Sequence, residues 1–419
     1  MPADRPPSFV DVAEIGAGAA GIAAARALAR APLDVVVLEA RDRIGGRART
    51  LDMNGTGLDM GCGWLHSADE NVLAGMAEAQ GFTIDRTPPP WESQAFNHEM
   101  SAAEQAEFRA AFAAFEERVA EAAGGGREGP ASTMFEPGGR WNPRIDAISG
   151  ALNGARFAEV SIRDYDAYRD TGVNWRVAEG YGRLIARLGE DPPVVSDCPV
   201  ACIDRSGPIL KLLTARGTVE VRAVIVTVPT DLIARETLRF DPPVPTLVEA
   251  AAGLPLGLAS KLHMTVDGAD DFPKDSQLWG RADTADTGGY HLRPFGRPMI
   301  EGWFGGDIAR ALEAEGEAAF FAFASDELVH LLGSAMRRRL APVAASMWGA
   351  EPWSMGAYSH ALPGHADDRA RLAAPVENRL FLAGEATSPD FYGTAHGAWM
   401  EGERAARQAL SALGLGGPE

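Results

Sequence analysis

The first forty residues show three successive patterns of apolar positions. An apolar run at 9–15 predicts a buried strand, an alanine-rich segment to about Arg30 predicts a helix, and a second apolar run at 33–38 predicts another strand. Between the first strand and the helix lies G-A-G-A-A-G, with glycines at Gly16, Gly18 and Gly21. This order predicts a strand–helix–strand unit at the start of an α/β fold.

The glycine spacing is typical of a turn that binds a dinucleotide. Gly16 permits the tight turn, Gly18 lets a pyrophosphate approach the backbone, and Gly21 lets helix and strand pack closely. Glycine-rich turns are common, so the flanking strands and helix strengthen the prediction. Glu39 ends the second strand, where its carboxylate would accept hydrogen bonds from ribose hydroxyls. Glu14 is unexpected, because the first strand should be apolar throughout.

Later patterns predict a hairpin, further strands and several helices. Asn54-Gly55 is a hairpin turn, and Ser101 with Glu104 forms a capping box ahead of a helix with an apolar aromatic stripe. Short strands are predicted at 199–203, 209–214, 219–228, 254–266 and 378–383, and helices at 71–80, at 325–340 and from about 394.

Composition and charge narrow the possible functions. The 419 residues suffice for two domains or one large composite, and 46% hydrophobic content is ordinary for a globular protein. A net charge of −19 disfavours nucleic acid and anionic membrane as partners and mildly favours cationic substrates. The cysteines fit neither a disulfide framework nor a zinc site, and no run is long enough to span a membrane. The N-terminus lacks the order of a signal peptide, so a cytoplasmic protein is expected.

Five segments occur in the order found in one family: RDRIGGRART, GLDMGCGWLH, GLPLGLASKLHMTV, PWSMGAYSHALPG and LFLAGEATSPDFYGTAHGAWMEGERAA. Together they resemble the flavin-containing amine oxidases, which include monoamine oxidases, polyamine oxidases, L-amino acid oxidases and histone lysine demethylases. The resemblance implies FAD as the dinucleotide. It also implies a Rossmann-like FAD-binding domain of the glutathione-reductase type, interleaved with an α+β substrate domain.

The implied division of the chain is discontinuous. The FAD-binding domain comprises 1–81, 191–253 and 350–419, and the substrate-binding domain comprises 82–190 and 254–349. The wall of the substrate pocket is expected from 82–174 and 278–348, where the resemblance is weakest.

The resemblance also implies which residues hold FAD. Gly16, Gly18, Gly21 and Glu39 contact the ADP half, and the backbone of Val200 reaches the adenine. Arg41, Gly46, Arg47 and Glu385 lie by the pyrophosphate and ribityl chain. Gly61, Cys62, Gly63 and Trp64 lie near the isoalloxazine, and Ala398 opens the last helix toward its pyrimidine. The remaining implied contacts are Ala20, Ala40, Trp353, Gly384 and Ala395. Ala357 replaces the cysteine that binds flavin covalently in membrane monoamine oxidases, so FAD is expected to be non-covalent.

The implied chemistry is amine oxidation. Tyr358 and Trp399 match two aromatic residues that face each other across the substrate path, and His66 is a candidate substrate contact. Lys261 matches the lysine that holds a water beneath flavin N5. On its pattern alone, this lysine is either buried for a purpose or turned to solvent at a strand edge.

In this scheme, hydride passes from the α-carbon of a neutral amine to flavin N5. The imine is hydrolysed to a carbonyl compound, and oxygen reoxidises the flavin to give hydrogen peroxide. Three alternatives stay open: an L-amino acid oxidase, a flavin dehydrogenase with another acceptor, and a catalytically inactive FAD-binding protein. A tryptophan at 399 occurs in some L-amino acid oxidases, but no arginine is assigned to a substrate carboxylate. Either a monomer or a homodimer is expected.

Overall fold

The computed structural model describes residues 5–91 and 94–415, so the outermost ends of the predicted domain segments lie outside it. The described chain forms two principal sheets with helices packed around them. Its strands are β1 (Phe9–Ile15), β2 (Val35–Leu38), β3 (Thr50–Met53), β4 (Thr56–Asp59), β5 (Ile84–Asp85), β6 (Arg176–Val177), β7 (Val194–Val195), β8 (Val200–Asp204), β9 (Leu210–Thr214), β10 (Gly217–Val226), β11 (Arg239–Asp241), β12 (Ala259–Val266), β13 (Ser276–Trp279), β14 (Gly289–Leu292), β15 (Met299–Gly305), β16 (Leu340–Ala345) and β17 (Leu380–Leu382).

Its α-helices are α1 (Ala19–Leu28), α2 (Val72–Ala79), α3 (Ala102–Gly124), α4 (Asn142–Asn153), α5 (Ile162–Ala167), α6 (Tyr181–Leu188), α7 (Thr230–Ala234), α8 (Pro245–Ala252), α9 (Asp307–Glu315), α10 (Glu317–Leu332), α11 (Asp368–Ala373) and α12 (Ala395–Ala412). None of these described helices combines the length and apolar character needed to cross a bilayer.

The larger sheet has the order β11-β8-β9-β10-β1-β2-β7, with β17 also paired to β10. The strands β17, β10, β1, β2 and β7 run parallel. Helices α1 and α12 cover one face, and α7, α8 and α11 cover the other. Burial on both faces explains why these strands are almost continuous apolar runs in the sequence. The predicted α/β fold is confirmed.

The carboxyl ends of four parallel strands meet at one edge of this sheet. They are followed by Gly16, Glu39, Thr227 and Ala383-Gly384. Ligands of open α/β sheets bind at this edge, so the sheet brings residues far apart in the sequence to a common site.

The second sheet is antiparallel, in the order β13-β14-β15-β12-β16. Helices α9 and α10 pack on its apolar face, while α3, α4 and α5 form a separate aromatic cluster beside it. All its strands fall within 254–349, and all strands of the larger sheet fall within the segments predicted for the FAD-binding domain. Helix α6 departs from that division, because it packs with α1 and α2 although it precedes residue 190.

Local signals were accurate where turn chemistry dictates the backbone. The predicted hairpin at Asn54-Gly55 joins β3 and β4, and the Ser101–Glu104 capping box begins α3. The predicted helix at 325–340 is wrong. Helix α10 ends at Leu332 because Gly333 adopts a φ of +97°, and Arg337 and Arg338 lie in a 3₁₀ turn before β16.

Glu14 is fully buried in the central strand β1, and neither carboxylate oxygen has a hydrogen-bond partner. It lies on the same face of β1 as Val12, which packs against α1 and α12. Burial raises the pKa of Glu14 well above its ordinary value of 4.5. The folded protein therefore holds a proton that the unfolded chain releases.

Replacing Glu14 should change how stability depends on pH. Above the unfolded-state pKa of 4.5, the folded state binds more protons than the unfolded state, so the wild type loses stability as pH rises toward the folded pKa. Glu14→Gln should remove this loss, and Glu14→Leu should raise the free energy of unfolding by roughly 1–3 kcal/mol. Denaturant titrations across pH measure both effects; identical pH profiles for wild type and Glu14→Gln would contradict the assignment.

Candidate active site

A large cavity of about 1080 Å³ begins at the carboxyl edge of the larger sheet and extends between α3, α4 and the second sheet. Pockets for one drug-sized ligand measure roughly 300–1,000 Å³. The cavity lies just above this range, so it has room for a ligand larger than a typical drug.

The glycine turn shapes one end of this cavity. Gly16 has a φ of +106°, which favours glycine, and a Cβ on Gly21 would lie only 1.9 Å from the carbonyl oxygen of Gly16. A Cβ on Gly18 would find only the Cα of Gly46 within 4.0 Å, so the backbone at Gly18 is open. No side chain caps the first turn of α1. Its N–H groups and positive dipole end are thus available to an anion.

Glu39 is held rigidly beside this turn. Its Oε2 accepts a hydrogen bond from the Ala17 N–H at 2.7 Å, and its Oε1 accepts from the Arg41 N–H at 2.9 Å. The side chain lines the cavity at the end of β2, and the residue is only 2% exposed. A fixed carboxylate at this place can accept hydrogen bonds from ribose hydroxyls. The glycine turn, the uncapped helix and Glu39 together fit a dinucleotide.

Two arginines stabilise the next part of the wall. Arg41 pairs with Glu351 and donates to Ser354 Oγ at 2.8 Å. Arg47 pairs with Glu385 at 3.1 Å and donates to the Ala357 carbonyl. Burial opposes ionisation of Glu385, but Arg47 and Arg369 lower its pKa below the ordinary value. These carboxylates neutralise much of the arginine charge.

Close packing explains the glycines at 61 and 63, against backbone at Gly61 and against a side chain at Gly63. A Cβ on Gly61 would lie 1.8 Å from the Arg47 carbonyl oxygen, and one on Gly63 would lie 2.7 Å from Lys261 Nζ. Cys62 and Trp64, between and beside them, line the same cavity. Burial raises the pKa of the Cys62 thiol far above its ordinary value, so it is not a reactive thiolate.

Lys261 is buried, which settles the alternative left open by its sequence pattern. It is 3% exposed on β12, with its Nζ 2.9 Å from Glu301 Oε1 and 4.5 Å from the centre of the Trp303 ring. Burial opposes ionisation of Glu301, but the charge of Lys261 lowers the pKa of that carboxyl to about 2. The two side chains form an ion pair in which Lys261 is buried and lines the large cavity, while the Glu301 side chain is 14% exposed.

A second, much smaller cavity of about 30 Å³ adjoins this pair. Polar side chains line it, among them Asp59, Lys261, His263, His291 and Glu301. A cavity of this size with several polar partners can hold a water molecule.

Tyr358 lines the large cavity, and its hydroxyl donates to the carbonyl oxygen of Ala151 in α4. Burial raises the pKa of this phenol, so it stays protonated. Tyr168 and Tyr392 line the same cavity with their rings 5.4 Å apart. Sequence analysis missed both. The D-F-Y-G segment that contains Tyr392 was the sequence signal that could have identified this tyrosine.

Trp399 does not lie opposite Tyr358, and this prediction is wrong. The tryptophan is 1% exposed and packs in the apolar cluster of α1, α2 and α6, with its indole N–H donating to Glu403. Ala395 and Ala398, three residues apart, face the cavity. The next position, 399, is turned about 100° around the helix from Ala398 and points into the protein.

Most of the other predicted residues line the cavity, whereas Gly21 packs behind it. His66 lines the cavity, and its Nδ1 lies 2.7 Å from Asn174 Oδ1; burial lowers the pKa of this imidazole. Gly21 does not line the cavity but packs behind the turn, as its predicted role requires. The remaining predicted residues that line the cavity are Ala20, Ala40, Gly46, Val200, Trp353, Gly384, Ala395 and Ala398.

Carboxylates also surround the outer part of the cavity. Glu116, Asp166 and Asp170 line it and are exposed to solvent. Like charges on the wall of a cleft attract oppositely charged ligands. This part of the cavity favours a cation.

Comparisons with known proteins agree with this arrangement. The sequence profile of the family described as flavin containing amine oxidoreductase matches residues 19–117 and 84–410. Polyamine oxidase 4 of Oryza sativa subsp. japonica is 31% identical, over 96% of this chain and 88% of that protein. The probable polyamine oxidase 4 of Arabidopsis thaliana is 28% identical, over 94% of this chain and 85% of that protein.

Solved structures show the same fold. The structure of wild-type putrescine oxidase bound to putrescine superposes with a TM-score of 0.75 at 20% identity. The match covers 97% of this chain and 100% of that one. The two-sheet architecture is therefore shared over its full length.

Proposed function

Because the chain belongs to the flavin-containing amine oxidoreductase family and is an FAD-dependent amine oxidase, we propose that it oxidises an extended aliphatic amine and uses dioxygen as the electron acceptor. One observation carries this proposal. The dinucleotide cradle, Tyr358 and Lys261, which is paired with Glu301, all line the same continuous cavity.

FAD supplies the hydride acceptor for the C–H bond next to the amine nitrogen. Gly18 and the uncapped start of α1 suit its pyrophosphate, and Glu39 suits its adenosine ribose. The start of α12, which lines the cavity through Ala395 and Ala398, would stabilise negative charge at the flavin pyrimidine.

The cavity wall supports an extended cationic amine as substrate. Glu116, Asp166 and Asp170 would attract it, and the relatives named above are polyamine oxidases. Deeper in the cavity, the rings of Tyr358 and Tyr392 would exclude water and orient the amine. The amine must lose a proton before its C–H bond is oxidised, and cavity water can accept that proton.

Lys261 supports dioxygen as the acceptor. Its ion pair with Glu301 fixes a cation beside a water-sized cavity. A fixed cation stabilises the negative charge that develops as dioxygen takes up two electrons. With two protons the product is hydrogen peroxide, and the imine adds water to give a carbonyl compound and the shortened amine or ammonia.

A panel of amines tests this function. Monoamines, diamines, polyamines and L-amino acids are incubated with the flavin-loaded protein, and peroxide is measured together with loss of the oxidised-flavin absorbance under anaerobic conditions. We expect extended aliphatic amines to bleach the flavin and to yield peroxide in air. Bleaching without peroxide would indicate a dehydrogenase. Activity confined to L-amino acids would indicate an L-amino acid oxidase. No bleaching with any amine would indicate a catalytically inactive FAD-binding protein.

The rate of anaerobic flavin reduction should rise with pH. Only the neutral amine reacts, so the rate should follow the apparent pKa of the bound amine. His66 does not counter this trend, because burial lowers the pKa of its imidazole and so favours the neutral form. Stopped-flow reduction across pH measures the profile, and a rate independent of pH would contradict reaction through the neutral amine.

A further inference from the structure

Arg144 is a buried cation in the wall of the substrate cavity. It lies in the first turn of α4 and is 6% exposed. Its guanidinium lies 6.0 Å from the centre of the Phe108 ring and 5.5 Å from that of Trp279. Burial lowers its pKa to about 10, so it remains charged at neutral pH.

Nothing within the described part of the chain pairs directly with this charge. The Nε of Arg144 has no hydrogen-bond partner, and no described carboxylate lies within 4.0 Å of its guanidinium. Arg41 and Arg47, in the same cavity, have Glu351 and Glu385. The contrast separates Arg144 from the arginines that stabilise the dinucleotide end.

Glu327 acts on Arg144 only at longer range. Its oxygens already accept hydrogen bonds from Thr287 Oγ1 at 2.5 Å, the Gly288 N–H at 3.0 Å and the Tyr290 hydroxyl at 2.6 Å. These three neutral donors satisfy the hydrogen-bonding capacity of the Glu327 carboxylate. Its charge offsets part of the arginine charge, but its lone pairs are engaged.

A buried guanidinium without a direct partner is costly unless something else hydrogen-bonds it. Its planar group suits a carboxylate, which can accept two parallel hydrogen bonds. We propose that Arg144 binds a carboxylate carried at the far end of the amine substrate. This inference rests on the proposed amine oxidase function and specifies its substrate class.

The geometry of helix α4 indicates how long that substrate must be. Ala151, whose carbonyl accepts the Tyr358 hydroxyl, follows Arg144 by seven residues, or roughly 10 Å along the helix axis at 1.5 Å per residue. An amine that reacts beside Tyr358 can therefore reach Arg144 through an extended aliphatic chain. A diamine of the same length would instead place its second ammonium against a like charge. Arg144 thus favours an amino carboxylate over the matching diamine.

Matched substrates test this selection. Straight-chain ω-amino carboxylates from aminobutanoate to aminodecanoate are compared with diamines and simple alkylamines of equal length, by kcat/KM for peroxide formation. We expect the long amino carboxylates to exceed the diamines. Arg144→Gln should lower kcat/KM for the amino carboxylate by roughly 10- to 100-fold, the loss of a charge-assisted hydrogen bond, and spare the alkylamine. The same variant should raise kcat/KM for the diamine.

Equilibrium binding gives a second readout. Octanoate, which has no amine to oxidise, should bind wild-type holoprotein and be displaced by aminooctanoate, measured by calorimetry. Arg140→Gln is the matched control, because Arg140 is an exposed arginine that pairs with Glu104 outside the cavity. It should leave both substrate preference and octanoate binding unchanged.

If Arg144→Gln does not fold, Arg144→Lys replaces it. This variant keeps the charge but loses the two parallel hydrogen bonds, and it should still weaken octanoate binding. The inference is overturned if wild type prefers diamines, or if octanoate binds wild type and a folded Arg144 variant equally. Either result leaves amine oxidation intact. Absence of flavin bleaching by alkylamines, diamines and amino carboxylates alike would instead refute the proposed function.

Discussion

Gly21→Ala is expected to yield a protein that does not retain FAD. The added Cβ would lie 1.9 Å from the Gly16 carbonyl oxygen, far inside contact distance, and both positions are backbone that cannot turn aside. The glycine turn would have to move away from α1, which would disrupt the cradle for the pyrophosphate. The ratio of flavin to protein absorbance after gel filtration measures retention.

Gly75→Ala is the control for this variant. Gly75 lies in helix α2, and a Cβ there would meet nothing within 4 Å. Because alanine favours a helix over glycine by roughly 1 kcal/mol, this protein should be at least as stable as wild type and fully yellow. If Gly21→Ala binds FAD as tightly as Gly75→Ala, the glycine turn does not hold the cofactor.

Lys261→Met is expected to have two separable effects. It leaves the Glu301 carboxylate buried without its partner, which should lower the free energy of unfolding by about 3–5 kcal/mol. It also removes the fixed charge proposed to assist dioxygen, which should slow oxidation of reduced flavin by roughly 100-fold while changing flavin reduction much less. Denaturant unfolding and the two stopped-flow half-reactions measure these effects.

The double variant Lys261→Met/Glu301→Gln separates stability from chemistry. Replacing the orphaned carboxylate by an amide should restore much of the stability, because no buried charge is left unpaired. The slow reaction with dioxygen should persist. If the double variant regains the wild-type rate with dioxygen, the lysine acts only by supporting the fold.

Sequence patterns predicted the dinucleotide end of the site well. Turn, strand and glycine requirements are local, so Gly16, Gly18 and Glu39 could be placed from spacing alone, and the structure positions all three at the carboxyl edge of the sheet. The buried lysine needed the family resemblance, because periodicity gives no answer for a charged residue on an apolar strand. The structure shows that Lys261 is buried, because its ion-pair partner Glu301 lies beside it although it is forty residues away in the sequence.

The substrate end was predicted poorly for physical reasons. Trp399 was placed in the cavity by motif alignment, although one helical position decides whether a side chain faces a cavity or the core. Arg144 was missed because its significance is the absence of a nearby carboxylate among the described residues, and no local pattern reports that. Tyr168 lies on an irregular segment after α5, whose path depends on contacts distant in the sequence.

The central claim is that bound flavin oxidises an amine within one continuous cavity. The most direct measurement is an anaerobic titration of the yellow holoprotein with an extended aliphatic amine, followed by admission of air. We expect the oxidised-flavin absorbance to disappear in proportion to amine added, and then to return as peroxide forms in equal amount. A flavin spectrum that no amine changes would contradict the account.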